Sequence, residues 1–216
     1  MITVYGISGV HVARLRAALL KKQLKFEHVS VNLRNRSEEF KKLSAVGKIP
    51  ILQDEDGTVV WDSIHIVDYL DHKYPKTYRM IPEDPKKRAS VLNMIALVQK
   101  MSEFFGPIYI EKFSMAEGLR QNGMSHRALI YDEQQKKDLN TAIQDHQDQI
   151  KAMYHDKEFI TGSLSEADVV VYGYAHNLKY LGFDTSKLQP WCDKLAKDPA
   201  IANMFAPESE KGVREI

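Results

Sequence analysis

The stretch Lys48-Ile49-Pro50-Ile51-Leu52-Gln53-Asp54-Glu55-Asp56-Gly57-Thr58-Val59-Val60-Trp61-Asp62-Ser63 sets two apolar, β-rich runs on either side of an acidic tetrad. Ile49 to Leu52 and Thr58 to Trp61 have strand length, and the Asp-Gly pair between them supplies a turn, so the segment predicts a β-hairpin. Pro50 opens the first of these strands, which points to an unpaired edge and a candidate cis bond. Asp62-Ser63 then starts a helix carrying Ile64, Val67 and Leu70. A serine hydroxyl, free amides and the helix dipole at such a start favour an anion; the same residues also serve as a plain N-cap.

Working outward, Ile2 and Val4 form a short strand closed by Gly6, and Val12, Leu15 and Leu19 follow helical spacing with Arg14, Arg16, Lys21 and Lys22 on other faces. Phe26 to Leu33 returns to strand character, and Arg36 to Leu43 is a small polar helix. The order β-α-β-α-β-β-α predicts an α/β domain over residues 1–75. Pro75, Pro82 and Pro85 among basic residues mark a linker at 76–88. Residues 89–216 carry no convincing strand and are expected to be all-helical. Val91 to about Glu117 is one long helical stretch, bent at Gly106-Pro107. Leu139, Ala142/Ile143, His146, Ile150 and Met153 recur at helical spacing, another helix begins at Ser165, and Pro190 and Pro199 punctuate the end.

With 216 residues, 44% of them hydrophobic and 27% charged, the chain has enough apolar material for a core in one or two domains. The net charge of +1 argues against nucleic acid or an acidic membrane surface as partner. No apolar run has membrane-spanning length and the N-terminus does not resemble a signal peptide, so the expected location is cytoplasmic. Cys192 is the single cysteine, which excludes an intrachain disulfide and a multi-cysteine metal site. His65 and His72 share a helix without a third ligand, and no metal is expected there. Dinucleotide, phosphate-loop, nucleophile-elbow and zinc-protease motifs are missing. Ser165-Glu166-Ala167-Asp168, flanked by Leu164 and Val169, has the pattern of a capping box with a hydrophobic staple, a structural device.

Taken together, these residues resemble the cytosolic glutathione transferases over positions 2 to about 206. The resemblance rests on the element order, on Lys48-Ile49-Pro50-Ile51-Leu52, and on Val60-Trp61-Asp62-Ser63. Tyr74-Pro75, Arg88-Ala89, the Ser-Glu-Ala-Asp box, Pro190-Trp191 and Asp198-Pro199-Ala200 complete it. The start of the chain and the region of Trp191 and Pro199 are most similar to the Phi- and Theta-like branches. The resemblance implies a thioredoxin-like N-terminal domain and a homodimer. It also implies a detoxification chemistry in which glutathione, a co-substrate and not a tightly bound cofactor, attacks a hydrophobic electrophile. A binding module of the same fold with little turnover, or a glutathione-dependent peroxidase or isomerase, are the alternatives, because fold alone does not set the activity.

Carried over by position, Ile49 would offer its amide and carbonyl to the cysteinyl backbone of glutathione, with Pro50 cis. Asp62 would face the γ-glutamyl ammonium and Ser63 the γ-glutamyl carboxylate. Lys48 would support the tripeptide and Arg36 would reach the glycyl carboxylate. The family activates the thiol from a Ser, Tyr or Cys near the first strand–helix junction, which here reads Tyr5-Gly6-Ile7-Ser8-Gly9-Val10-His11. The serine position falls on Ser8, Gly9 or Val10 according to the gap, and Tyr5 fits the tyrosine position. Ser8, Tyr5, His11 or backbone amides alone remain open as activator. Cys192 lies in the helical domain, where an inert buried thiol is expected. Met101, Phe104, Phe105, Tyr109, Phe113 and Met115 crowd the helix that lines the family's acceptor pocket, and about half of them are expected to touch a ligand.

Overall fold

The computed structural model describes residues 1–7, 9–32, 35–44, 47–112, 132–154, 157–205 and 214–215, with backbone alone for 102–112, 136 and 214–215. The first strands are β1 (Ile2–Gly6) and β2 (Phe26–Ser30), followed by β3 (Ile51–Gln53) and β4 (Val59–Trp61). Helices α1 (Val10–Lys21), α2 (Glu38–Leu43) and α3 (Ser63–Lys73) alternate with them. β1 runs parallel to β2 with Val4 opposite His28 and antiparallel to β3 with Val4 opposite Leu52, while β4 closes the hairpin with Val60 opposite Leu52.

Strand alternation splits the sheet's side chains between two faces. Ile2, Val4 and Leu52 meet Val12, Leu15 and Leu19 of α1 and Ile66 and Leu70 of α3. Tyr5, Val29, Val31 and Ile51 point the other way, against Phe40 of α2. Gly6 allows α1 to follow β1 so closely, since a Cβ there would lie 2.5 Å from Val12 Cγ2.

The helical domain contains α4 (Pro85–Lys112), α5 (Glu133–Tyr154), α6 (Glu166–Leu181), α7 (Gln189–Leu195) and α8 (Pro199–Ala202). The long helix starts at Pro85, six residues before the expected Val91, because proline is tolerated in the first turn and the Asp84 carboxylate accepts from the Lys87 amide. The helix runs through Gly106-Pro107 to Lys112; Phe113, Met115 and the remainder of the expected helix lie outside the described residues. α5 buries Leu139, Ile143, His146 and Ile150, the expected stripe. His146 is a polar node: one ring nitrogen lies 2.8 Å from the Tyr174 hydroxyl and the other 2.9 Å from the Leu97 carbonyl, which suits a neutral ring donating to Leu97 and accepting from Tyr174. Burial lowers its pKa. The capping box at Ser165 is present, and Asp168 also accepts from the Ile160 amide at 3.0 Å.

β3, where Pro50 predicts an unpaired edge, is an interior strand paired with both β1 and β4. Two more features depart from the sequence reading. Arg14 and Lys22, expected on polar faces of α1 or just beyond it, are 2% and 4% exposed. α1 is covered on both sides: its Ala13, Ala17 and Ala18 join the helical core, leaving these cations inside. Arg14 is satisfied by Glu166 of α6, Nε at 3.2 Å and the guanidinium NH2 at 3.1 Å. Lys22 reaches Asp71 of α3 at 2.5 Å and the Tyr78 carbonyl at 2.8 Å. The second of these two is β5 (Arg214–Glu215), which pairs in parallel with β2 in an otherwise helical half. Two residues are too short to leave a period in the sequence.

Candidate active site

A cleft of about 380 Å³ opens on the N-terminal domain, within the range of small-ligand sites. One wall is His11, in the first turn of α1. The second is Lys48, Ile49 and Pro50, joined by a cis Ile49–Pro50 peptide bond. The ladder between β1 and β3 begins at Ile51, so Ile49 lies just beyond the registered pairs at the sheet's end. The third wall is Trp61, Asp62, Ser63 and His65, where β4 passes into α3.

Asp62 is the cap of α3: its carboxylate accepts from the Ile64 amide at 3.0 Å, and its backbone holds φ 74°. A non-glycine residue in that region carries strain of order 1–2 kcal/mol. Capping therefore falls to Asp62 and not to Ser63. Ser63 is the first helical residue, 4% exposed overall; it lines the cleft, and its hydroxyl makes no hydrogen bond among the described residues. Arg36 is not a cleft wall, but its guanidinium packs over Gly47, whose φ of 64° and missing Cβ make room for it, next to Lys48.

The junction residues separate. Tyr5 is 4% exposed on the α2 side of the sheet, where its hydroxyl donates to Gln53 Oε1 at 3.0 Å, and it is not a wall of the cleft. Ser8 lies outside the described residues. His11 is on the surface yet set into the cleft. Crowding by protein lowers its imidazole pKa to about 4, Arg14 and Lys48 push the same way, and Asp62 opposes them. The lowered pKa leaves the ring neutral at pH 7. Trp61, 42% exposed, and His65 are walls that motif reading did not assign. Trp61 carried a signal, a large aromatic exposed at a strand end; His65 carried none.

Met101 is 7% exposed and belongs to the helical core, and the side chains of Phe104, Phe105 and Tyr109 lie outside the described ones. Cys192 is buried in the helical domain; burial raises its pKa to about 12 and Asp193 adds to the shift, which suits an inert thiol.

Residues 5–78 match the family described as "Glutathione S-transferase, N-terminal domain". These residues belong to that N-terminal domain family, and the chain as a whole is similar to the cytosolic glutathione transferases. Over 210 residues the chain is 25% identical to glutathione S-transferase omega-1 of Mus musculus, covering 94% of this chain and 79% of the relative. Its fold matches a glutathione S-transferase from Sinorhizobium meliloti 1021 with a TM-score of 0.78 at 19% identity, covering 99% of this chain and 96% of that one. It also matches a bacterial maleyl pyruvate isomerase described as a Zeta-class glutathione-S-transferase, with a TM-score of 0.72 at 20% identity, covering 97% and 100%. The domain match and the Mus musculus relative support glutathione-dependent activity in general without a subclass, and the two solved structures show the fold. Among the described residues no helix is long and apolar enough to cross a membrane.

Proposed function

We propose that this protein binds glutathione in the cleft and joins its sulfur to hydrophobic electrophiles, as a cytoplasmic homodimer. One observation carries the reading: the backbone at Ile49–Pro50 and the start of α3 at Asp62–Ser63 face the same 380 Å³ cleft. An extended tripeptide pairs with the amide and carbonyl of Ile49 as an added strand would. Its γ-glutamyl carboxylate meets the Ser63 hydroxyl and the free amides of α3, its ammonium meets Asp62, and Lys48 and Arg36 attract the remaining carboxylate. The thiol then loses its proton, and the thiolate attacks the electrophilic carbon as the leaving group departs with the bonding pair. A free thiol of pKa about 8.5 is only a few per cent ionised at pH 7, so the site must favour the anion. The sequence offers Ser8 and His11 at the strand–helix junction for that task, and Phe104, Phe105 and Tyr109 of α4 for the acceptor side.

Thermal unfolding with and without glutathione tests the reading. At a ligand concentration 100-fold above Kd, binding should stabilise the fold by about 2.7 kcal/mol. A melting temperature unmoved by millimolar glutathione would count against the site. Turnover of an aryl halide, set beside isomerisation of an unsaturated diacid, then identifies the acceptor chemistry.

A further inference from the structure

This inference rests on the glutathione reading of the cleft and goes further, to the group that faces the sulfur. A cysteinyl residue paired through its own amide and carbonyl at Ile49 projects its side chain across the pairing direction, as every strand residue does. The wall at Asp62 and Ser63 is taken by the γ-glutamyl end, so the sulfur is directed toward α1. Among the described residues, His11 is the side chain that lines the cleft from α1. Tyr5 is unavailable there: it is buried on the opposite face of the sheet and spends its hydroxyl on Gln53. We propose that His11 is a catalytic residue whose ring N–H donates a hydrogen bond to the glutathione sulfur and stabilises the thiolate.

The surroundings choose donation over proton abstraction. Arg14 stands one turn along α1, Lys48 and Asp62 face the ring across the cleft, and His65 shares the cleft from α3. Crowding and the Arg14 cation lower the imidazole pKa to about 4, too weak a base to take a proton from a thiol near 8.5. The first backbone bond of α1 runs from Ala13 to Gly9, so the amides before it lie at the positive end of the helix, which disfavours an imidazolium and favours an anion. A neutral imidazole always keeps one N–H. The thiol proton passes to water, the sulfur lone pair forms the new C–S bond, and the C–leaving-group bond breaks with its pair on the leaving group. His11 is unchanged over the cycle.

Full-length parent, His11→Ala, His11→Gln and Ser8→Ala proteins separate the possibilities. Three readouts are needed: calorimetric glutathione affinity, ultraviolet titration of the bound thiolate, and the pH profile of kcat/KM for an aryl halide. In His11→Ala, glutathione affinity should stay within a few-fold, the thiol should titrate at higher pH, and kcat at pH 7 should fall about 100-fold with little change in KM. His11→Gln keeps an N–H donor and cannot act as a base, so it should retain activity within about 10-fold of the parent. A Gln variant as impaired as Ala would overturn the donor role. So would a His11→Ala protein whose thiol titrates as in the parent, above all if Ser8→Ala abolishes that titration. Absence of calorimetric glutathione binding in the parent would instead remove the underlying reading, and the proposal with it.

Discussion

Asp62 holds a conformation that L-residues avoid, with φ 74°, and still carries the cap of α3. Exchange for glycine relieves the strain and, at an N-cap, costs only a few tenths of a kcal/mol, while the freer unfolded chain costs about 0.5–1 kcal/mol. Asp62→Gly should therefore unfold within about 1 kcal/mol of the parent yet bind glutathione more weakly, because the partner of its ammonium is gone. Denaturant unfolding beside calorimetry checks both halves; equal loss of stability and affinity would make Asp62 a cap only. Ser63 differs because it caps nothing. Ser63→Ala removes one hydrogen bond to a carboxylate, of the kind worth roughly 1.5–3 kcal/mol, so glutathione affinity should fall about 10- to 150-fold with little change in the unfolding midpoint. Unaltered affinity would exclude Ser63 from the site.

At the scale of elements, the Lys22–Asp71 pair joins α1, α3 and the segment that leads into α4. Both side chains are fully buried, and Asp71 also accepts from the amides of Met80 and Ile81 at 3.0 and 2.7 Å. Removing one partner leaves a charge without its counterion in a dry site, at a cost of about 3–5 kcal/mol. Asp71→Ala should lower the denaturant midpoint accordingly, and Lys22→Met with Asp71→Leu should recover part of the loss; a change below about 1 kcal/mol in the single variant would contradict the geometry. This node also marks what a sequence can disclose. The hairpin of β3 and β4 is legible because turn chemistry is local, and the box at Ser165 for the same reason. α1 is legible only on its Val12, Leu15 and Leu19 side. Its alanine side, and the burial of Arg14 and Lys22, depend on α6 and α3, which lie far away in the chain. The cleft is likewise half legible: Lys48, Ile49, Pro50, Asp62 and Ser63 stand in motifs with assigned roles, Trp61 stands in one without a role, and His65 becomes a wall only through the way β4 enters α3.

On the scale of the whole molecule, the Arg14–Glu166 pair links the two domains, with α1 on one side and α6 on the other. Desolvation outweighs the attraction of Arg14 and raises the Glu166 pKa from 4.5 to about 7. A folded state that holds its proton more tightly than the unfolded chain is favoured below the unfolded pKa, and that advantage is lost as pH rises through the folded one. Glu166 thus contributes stability that declines between pH 4.5 and 7. His11, with its lowered pKa, acts in the opposite sense between about 4 and 6.5, so the comparison must be made against a variant. The parent minus Glu166→Gln difference in unfolding free energy should fall across pH 4.5 to 7; a flat difference would mean that Glu166 stays ionised throughout. The two domains differ in another respect as well. Each contains one of the chain's two tryptophans. Trp191 is 1% exposed, stacked on Tyr154 at 4.3 Å, and donates its indole N–H to the Glu158 carbonyl. Trp61 is 42% exposed at the mouth of the cleft. The intrinsic emission of the protein is accordingly the sum of a red, quencher-accessible component from the cleft and a blue, shielded one from the helical core. A ligand entering the cleft should change the first component and unfolding should redden the second, so that a single cuvette separates occupancy from integrity without a label.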